Sequence, residues 1–351
     1  MWWRHKSQNE TLEFLKKEFS DIVSDLPLAK ISYIKIGGNA RYYLEVHTKN
    51  DLIKAVKLAR EAKISHLVVG ATSNLLFSDQ GFNGLIIKNN YASKDAISVN
   101  STEVIAPTGI NLLVLVKELA QKGLGGIEFL APIPGTLGGA VVNNAGANGK
   151  EMKEILIGAN VLDFNGEVKF ISTDKLGLNY RSSKLKGLAK KRQYLKYPVI
   201  LEAKIKLISR SKEEVDRLVQ SLVLRRAKSQ VKGLNLGCVF KNPKMTQQCH
   251  PEDAGRHEGS GPIDKYHFPD KAINLNRVSC GYLLEQLNLK NKKCGRIQIS
   301  PVHANIFVNL GGGKARDFQK LIAEAKIKVK EKFDLDLQEE IEIVENFKDN
   351  N

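Results

Sequence analysis

Cysteine, aromatic residues and long apolar runs are all scarce in this chain of 351 residues. None of its four cysteines belongs to a CxxC pair, and their spacing (Cys238, Cys249, Cys280, Cys294) matches neither a zinc site nor a secreted disulfide framework. The longest uncharged stretch, Phe129–Gly149, holds two prolines and five glycines and is therefore not a membrane helix. The first residues lack the apolar core of a signal peptide. We therefore expect a cytoplasmic protein without membrane insertion.

The two standard signatures of nucleotide binding are also absent. The chain contains neither GxGxxG nor GxxxxGK[ST], so a Rossmann dinucleotide site and a P-loop are not supported. The formal net charge of +16 suits a polyanionic partner, whether nucleic acid, an acidic membrane or phosphorylated small molecules. A nucleic-acid-binding module stays open as an alternative, but basic and aromatic residues do not interleave as in known binding signatures. We expect no nucleic-acid partner.

Hydrophobic periodicity predicts an α+β protein with two or three sub-domains. Residues 244–277, rich in histidine, proline and glycine, are interpreted as a long surface loop. The predicted helices are Glu10–Phe19, one capped by Asn50 or Asp51, Asn111–Gln121, Ser211–Gln230 and Ala315–Lys332. The predicted strands are Tyr42–Val46, Leu67–Val69, Leu85–Lys88, Ile97–Val99, Glu103–Ala106, Val161–Phe164, Glu167–Ile171, Val199–Leu207 and Glu340–Val344.

Three glycine-rich stretches could bring backbone N–H groups close to a phosphate. They are IKIGGNA, VVGATSNLLFSDQGFNG and APIPGTLGGAVVNNAGANG. Each alone is more often a tight turn than a ligand site. The third has no charge, so its apolar surface must be covered, and Asn143 and Asn144 need polar partners there. A flat heteroaromatic ring with carbonyl and imide edges would meet both needs.

Seven motifs in order resemble a known family. They are GATSNLL, DQGFNG, IPGTLGGAVVNNAGANGKE, LNYRSS, GCVFKNP, SPVHANIFVN and LQEEIEIV. The series is similar to the UDP-N-acetylenolpyruvoylglucosamine reductases, in the shorter subtype without an insertion after YRSS. The resemblance implies an FAD-binding fold of the vanillyl-alcohol-oxidase or p-cresol-methylhydroxylase type, with a C-terminal α+β substrate-binding domain. It implies two FAD-binding sub-domains, residues 20–90 and 91–208, and a substrate domain, residues 209–345.

The activity implied by the resemblance is the reduction of UDP-N-acetylglucosamine enolpyruvate to UDP-N-acetylmuramate, a peptidoglycan precursor. NADPH would be the co-substrate, and FAD would carry its hydride to the substrate. No His or Cys occurs between His66 and Cys238, so we expect the FAD to be non-covalent. A related FAD oxidase acting on another small substrate is the alternative.

The resemblance also assigns residues to the cofactor. Thr72 stands where the family commonly has glycine, which puts the backbone of that loop in question. The implied FAD-binding residues are Gly37, Gly38, Gly70, Ala71, Thr72, Ser73, Asn74, Leu75, Pro134, Gly135, Thr136, Gly138, Gly139, Asn143, Asn144 and Gly146.

Three further residues would carry the chemistry by resemblance. Arg181 is a permanent cation suited to the substrate carboxylate, and Glu340 could hydrogen-bond the same group if its pKa is raised. Cys238 falls where the family has a serine or cysteine proton donor, and a thiol is the stronger acid of the two. By sequence alone, Arg181 and Glu340 would be taken for surface residues, and Cys238 for a small buried one.

Substrate binding is implied for Tyr180, Lys241 and Asn242. The run 181–196 has seven basic residues and no acidic one, which suits either a phosphate group or a solvated loop. Cys249 and His250, with His257 and His267, fit no standard zinc spacing, so we expect no metal.

Overall fold

Three hydrophobic cores, each packed on its own sheet, organise the chain. The computed structural model describes residues 8–244, 272–274 and 276–346. The first core draws mostly on residues 15–87, the second on residues 97–219 and the third on residues 236–341. The domain limits after residues 90 and 208 stay predictions.

The first core packs on a four-stranded sheet. Thr48 caps the helix of residues 49–61, because its side chain accepts a hydrogen bond from the Asp51 N–H at 3.1 Å. The elements are α1 (Gln8–Lys16), β1 (Val23–Pro27), α2 (Leu28–Ile31), β2 (Asn39–Val46), α3 (Lys49–Glu61), β3 (His66–Val69), β4 (Leu75–Phe77) and β5 (Phe82–Asn89). The strand order is β1-β2-β5-β3, with β2, β5 and β3 parallel and β1 antiparallel to β2.

The second core packs on a five-stranded antiparallel sheet. Its elements are β6 (Ser98–Asn100), β7 (Glu103–Pro107), α4 (Leu112–Gln121), β8 (Leu124–Gly125), α5 (Leu137–Asn143), β9 (Gly146–Ala147), β10 (Lys150–Glu151), β11 (Leu156–Leu162), β12 (Val168–Ser172), α6 (Thr173–Leu176), α7 (Leu188–Lys191), β13 (Val199–Lys206), β14 (Ile208–Ser209) and α8 (Lys212–Ser229). The order is β12-β11-β13-β7-β6. Val215 and Val219 bring α8 into this core.

The third core packs on a four-stranded antiparallel sheet. The elements are β15 (Leu234–Cys238), β16 (Ile273–Asn274), β17 (Arg277–Val278), α9 (Cys280–Glu285), β18 (Lys293–Cys294), β19 (Ile297–Ile299), β20 (Ile306–Asn309), α10 (Ala315–Phe333) and β21 (Glu342–Val344). The strand order in the sheet is β15-β20-β19-β18. Phe318, Leu321 and Val329 bury one face of α10 in the core.

Two connections tie the cores together. β21 pairs in parallel with β4, so the end of the chain joins the first core, where Val344 is buried. Arg60 of α3 donates hydrogen bonds to the carbonyl oxygens of Asp163 (2.7 Å) and Tyr197 (2.5 Å). No helix among the described residues is both long and apolar enough to cross a membrane.

Several predicted boundaries differ from those observed. The first helix is Gln8–Lys16, and Thr48 rather than Asn50 or Asp51 caps α3. β11 begins five residues before the predicted Val161, since Gly158 hides the strand signal. Only glycine fits there, because a Cβ would lie 2.5 Å from the Ile171 carbonyl oxygen.

The C-terminal strand was predicted to begin at Glu340, but β21 starts at Glu342. The Glu340 N–H donates instead to the Val239 carbonyl oxygen at 2.8 Å, which draws this residue toward the third core. Most of the predicted surface loop 244–277, with Cys249, His250, His257 and His267, lies outside the described residues.

Candidate active site

A cavity of about 550 Å³ opens where the three cores meet. One wall is the loop after β3, a second is the turn that leads into α5, and a third is the end of β15 together with Glu340. These predicted residues line it: Gly70, Ala71, Thr72, Ser73, Asn74, Leu75, Pro134, Gly135, Thr136, Gly138, Gly139, Asn143, Gly146, Tyr180, Arg181, Cys238, Asn242 and Glu340.

The loop of residues 70–75 is held by its own neighbours. Lys88 Nζ donates to the Gly70 carbonyl oxygen at 2.5 Å, and Ser73 Oγ donates to the Pro134 carbonyl oxygen at 2.6 Å. Thr72 has a φ of +56°, in the left-handed region that favours glycine, and its Oγ1 accepts from the Tyr33 N–H at 2.9 Å. This explains why a glycine is expected here and how a threonine serves instead.

The third glycine stretch contains a short helix, α5, that the sequence did not predict. Thr136 caps it by accepting from the Gly139 N–H at 3.5 Å. Asn143 Nδ2 donates to the Gly139 carbonyl oxygen at 3.0 Å, while its Oδ1 accepts from Asn74 Nδ2 at 3.3 Å. The two glycine-rich walls are therefore joined side chain to side chain.

Arg181 and Glu340 meet although they lie far apart in the chain. Arg181 Nε lies 2.9 Å from Glu340 Oε1, with the geometry of an ion pair rather than of a hydrogen bond. Arg181 Nη2 donates to the Gly146 carbonyl oxygen at 2.8 Å. Burial raises the pKa of Glu340, and the cations of Arg181, Lys186 and Lys241 oppose that rise. Because burial prevails, the pKa of this carboxyl lies above the ordinary value of a glutamate.

Cys238 is the last residue of β15 and lies beside the Arg181–Glu340 pair. Burial raises the pKa of its thiol to about 12, Glu340 adds to the rise, and the cations of Arg181 and Arg226 oppose it. The thiol therefore keeps its proton at neutral pH. It is a weaker acid than the free side chain considered from the sequence, whose pKa is ~8.5.

The ring of Tyr180 lies near two guanidinium groups. The Arg277 guanidinium lies 3.8 Å from its ring centroid and that of Arg181 lies 5.6 Å away. Arg277 Nη1 also donates to the Asn242 carbonyl oxygen at 2.9 Å, and Asn242 Oδ1 accepts from the Cys280 N–H at 3.0 Å. Tyr180 and Asn242 thus present fixed polar groups to the cavity.

Four predicted residues do not line the cavity. Gly37 and Gly38 pack against neighbouring chain instead: a Cβ would lie 2.8 Å from the Phe77 Cβ at Gly37 and 2.3 Å from the Asp79 carbonyl oxygen at Gly38. Asn144 is fully buried, and its Nδ2 donates to Glu151 Oε2 and to the Asn179 carbonyl oxygen. Lys241 lies outside the lining and acts on the pKa of Glu340 through its charge.

Other residues in or beside the cavity were not singled out from the sequence. Arg226 reaches the cavity from the last turn of α8, and Glu342, the first residue of β21, lines it close to Glu340. Lys186, in the basic run 181–196, bonds directly to the backbone of both Arg181 and Glu340. The charge of that run was visible in the sequence, but the sequence did not distinguish Lys186 from its solvated neighbours.

Both parts of the chain match known family models. Residues 40–172 match the model of an FAD binding domain, and residues 229–344 match that of the UDP-N-acetylenolpyruvoylglucosamine reductase C-terminal domain. The cavity lies between these two parts. Together they define an FAD-binding oxidoreductase with a C-terminal domain of its own, which agrees with the fold class expected from the sequence.

Whole-chain relatives give the family. The chain is 31% identical over 334 residues to the UDP-N-acetylenolpyruvoylglucosamine reductase of Bacillus subtilis (strain 168), covering 95% of this chain and 97% of that one. It is 32% identical over 331 residues to the enzyme of the same name from Lactobacillus acidophilus, covering 94% and 97%. The chain belongs to the UDP-N-acetylenolpyruvoylglucosamine reductase family.

A solved structure agrees with this assignment. The UDP-N-acetylenolpyruvylglucosamine reductase of Thermus caldophilus aligns with a TM-score of 0.66 and 27% identity, over 92% of this chain and 98% of that one. The expected family, fold class and FAD cofactor are thereby confirmed.

The cavity wall itself fits a bulky cofactor. Gly70 and Gly138 are glycines for packing reasons, since a Cβ would lie 2.3 Å from Thr136 Oγ1 or 2.9 Å from Thr108 Cβ. Gly135 and Gly139 face the cavity without positive φ, and a Cβ on either would meet no protein atom closer than 3.7 Å. Neither packing nor backbone strain requires glycine at these two positions. The space they leave is therefore available to a ligand.

Proposed function

We propose that this chain reduces UDP-N-acetylglucosamine enolpyruvate to UDP-N-acetylmuramate with NADPH, using Arg181, Cys238 and Glu340. The observation that carries the proposal is the meeting of these three side chains, distant in sequence, on one cavity that also has the glycine walls of an FAD site. The class of reaction follows from the family, and the residue roles are our assignment.

Binding of the cofactor is assigned to the two glycine-rich walls. The loop of residues 70–75 and the turn of residues 134–139 would hold FAD, with Asn143 and Gly146 completing the wall. Bound FAD supplies the redox chemistry, passing on the hydride equivalent that NADPH delivers, which no side chain of the protein can do.

Arg181 and Glu340 are assigned to the substrate carboxylate. A guanidinium group such as that of Arg181 presents forked N–H donors that match the two oxygens of a carboxylate. The raised pKa of Glu340 favours a protonated carboxyl that donates a hydrogen bond as negative charge grows on the substrate. Together they would stabilise an enolate-like carboxylate from two sides.

Cys238 is assigned as the proton donor. Because its pKa is raised to about 12, the thiol is protonated throughout the neutral range, so every molecule begins with the proton in place. Arg181 and Arg226 stabilise the thiolate that remains after the Sγ–H proton moves to the substrate carbon. The proton is then restored from solvent before the next cycle.

The nucleotide part of the substrate is assigned to polar and cationic groups that lie beside the Arg181–Glu340 pair. Tyr180 and Asn242 line the wall there, Arg226 reaches it from α8, and Lys241 lies close enough to act on Glu340. Guanidinium and ammonium groups are the usual partners of a diphosphate. Because UDP-sugars and NADPH are cytoplasmic metabolites, we also propose a cytoplasmic location.

Two half-reactions followed separately test this function. The purified holoenzyme is reduced anaerobically with NADPH, which bleaches the flavin absorbance, and is then mixed with the enolpyruvyl sugar nucleotide. We expect oxidised flavin to return within one turnover and one UDP-N-acetylmuramate to form per flavin. Return of colour with oxygen but not with the enolpyruvyl nucleotide would instead indicate an FAD oxidase.

An Arg181→Ala variant identifies the step that the guanidinium serves. We expect the activation free energy of the second half-reaction, oxidation of the flavin by the enolpyruvyl nucleotide, to rise by ~3–4 kcal/mol, because one charged donor is lost. Bleaching by NADPH should change little. Equal slowing of both half-reactions would indicate a damaged flavin site and would contradict the assigned role.

A further inference from the structure

Lys186 connects two residues of the active site through their backbones. It follows Arg181 by five positions and precedes Glu340 by 154 positions. Its Nζ donates to the Glu340 carbonyl oxygen at 2.8 Å and lies 3.3 Å from the Arg181 carbonyl oxygen, to which it also donates. One ammonium group therefore touches both members of the Arg181–Glu340 pair while leaving their side chains to the cavity.

The backbone of Glu340 depends on this contact. Its carbonyl oxygen accepts from Lys186 Nζ and from Asn74 Nδ2 (3.2 Å), and its N–H donates to the Val239 carbonyl oxygen. Each bond comes from a different part of the chain. Glu340 lies just before β21, outside any regular ladder, so these bonds substitute for secondary structure in fixing its position.

The backbone of Arg181 is strained at the same point. Its φ of +51° lies in the left-handed region, which costs a non-glycine residue ~1–2 kcal/mol. Such a conformation persists only where surrounding contacts hold it. The Lys186 bond to its carbonyl oxygen and the bond from its own Nη2 to Gly146 are two such contacts.

The charges around the Lys186 ammonium oppose one another. Burial disfavours its charge, Lys241 and Arg181 repel it, and Glu342 and Glu340 attract it, so its pKa falls to about 8. A lysine at the solvent surface would avoid all of these penalties. The two carbonyl bonds, together with the attraction of Glu340 and Glu342, hold the ammonium in this buried position.

We propose that Lys186 is a positioning residue, whose ammonium fixes the backbones of Arg181 and Glu340 so that their side chains meet the enolpyruvyl carboxylate in register. The proposal rests on the function proposed above. It assigns Lys186 to the second half-reaction alone, because its contacts are to the substrate-facing pair and not to the glycine walls.

A Lys186→Met variant, compared with Lys184→Met, tests this role. Methionine keeps most of the aliphatic stem and removes the donor, while Lys184 is exposed and makes the same chemical change two residues away. We expect Lys186→Met to retain FAD and to be bleached by NADPH at the wild-type rate. Oxidation by the enolpyruvyl nucleotide should slow by about 10²-fold, the cost of misplacing reacting groups by an ångström. Lys184→Met should behave as wild type.

The pH profile supplies a readout that a merely structural role would not change. Below pH about 8 the ammonium is charged, and above it the charge is lost. In the wild type, enolpyruvyl reduction should therefore fall as pH rises through about 8. In Lys186→Arg the group stays charged, so this fall should move to higher pH and much of the rate should be kept. Lys186→Met should be slow at every pH, without that fall.

The outcomes separate the two proposals. If wild-type enzyme fails to oxidise with the enolpyruvyl nucleotide, the proposed function is wrong whatever the variants do. If wild type reacts and Lys186→Met reacts equally fast, or if the fall near pH 8 persists unchanged in Lys186→Arg, the positioning role is wrong. The wild-type and Lys186→Arg profiles decide the matter even if Lys186→Met does not fold.

Discussion

Cys238 lies in surroundings that favour keeping a proton over releasing it. Burial and the Glu340 carboxyl both raise its pKa, and the Arg181 and Arg226 cations oppose that rise. A nucleophilic cysteine would need the opposite balance, with its pKa lowered toward neutrality. The environment therefore suits a general acid that acts once per cycle, when negative charge on the substrate creates a strong base nearby.

Replacing Cys238 should separate the proton donor from the rest of the site. We expect Cys238→Ala to slow oxidation by the enolpyruvyl nucleotide by ~10²–10⁴-fold, the usual contribution of a general acid. Cys238→Ser keeps a donor of similar size and should retain part of the rate. NADPH should bleach both variants as fast as wild type in stopped-flow absorbance. Normal turnover by Cys238→Ala would remove Cys238 from the mechanism.

The sequence predicts a site residue more readily when that residue is present for its chemistry than when it is present for its packing. Arg181, Cys238 and Glu340 were named by resemblance because their chemistry keeps them inside recognisable motifs. Lys186 was one of seven basic residues in its run, and only the folded chain separates it from the others. Gly37, Gly38 and Asn144 were named as ligand contacts, yet their neighbours are protein atoms.

At the scale of elements, α5 marks where local propensity fails as a guide. Two glycines among its seven residues disfavour a helix by ~1 kcal/mol each, so the sequence indicated a glycine-rich loop. Gly138 is required because a Cβ would lie 2.9 Å from Thr108 Cβ. Helices and strands with regular periodicity, such as α8 and α10, were predicted to within one or two residues.

The contact between the two glycine walls can be measured by a double-mutant cycle. An alanine at Gly70 would place its Cβ 2.3 Å from Thr136 Oγ1, so Gly70→Ala should destabilise by ~1–3 kcal/mol through overpacking. Thr136→Ala alone should cost ~1 kcal/mol through loss of the α5 cap. In the double variant the clash is absent. Its loss of unfolding free energy should therefore be smaller than the sum of the two single losses by ~1 kcal/mol or more.

Denaturant unfolding, with flavin release followed by fluorescence, checks this cycle. The cycle compares wild type, the two single variants and the double variant. If the losses of unfolding free energy are additive, a side chain at position 70 does not clash with Thr136. The cavity wall would then be built from two independent segments, and the reason given for glycine at position 70 would be wrong.

At the scale of the whole molecule, the end of the chain connects the FAD side and the substrate side. Ile341 is buried in the third core and Val344 in the first, only three positions apart. Between them, Glu342 pairs with Leu75, where the loop of residues 70–75 ends. The order of the three cores could be anticipated from the motifs, but this pairing of the last strand with β4 joins segments far apart in sequence, which no local pattern encodes.

Because β21 supports β4, weakening it should loosen the cofactor as well as the fold. Val344→Ala removes two methyl groups from a side chain that is 1% exposed, and should cost about 2 kcal/mol of unfolding free energy. Val23→Ala on β1, where the side chain is 44% exposed, makes the same chemical change and should cost much less. On heating, flavin fluorescence should appear at a lower temperature in Val344→Ala than in Val23→Ala, ahead of the loss of helical circular dichroism. If both variants released flavin together with global unfolding, at temperatures that tracked only their stability, β21 would be a structural strand without a particular connection to the cofactor loop.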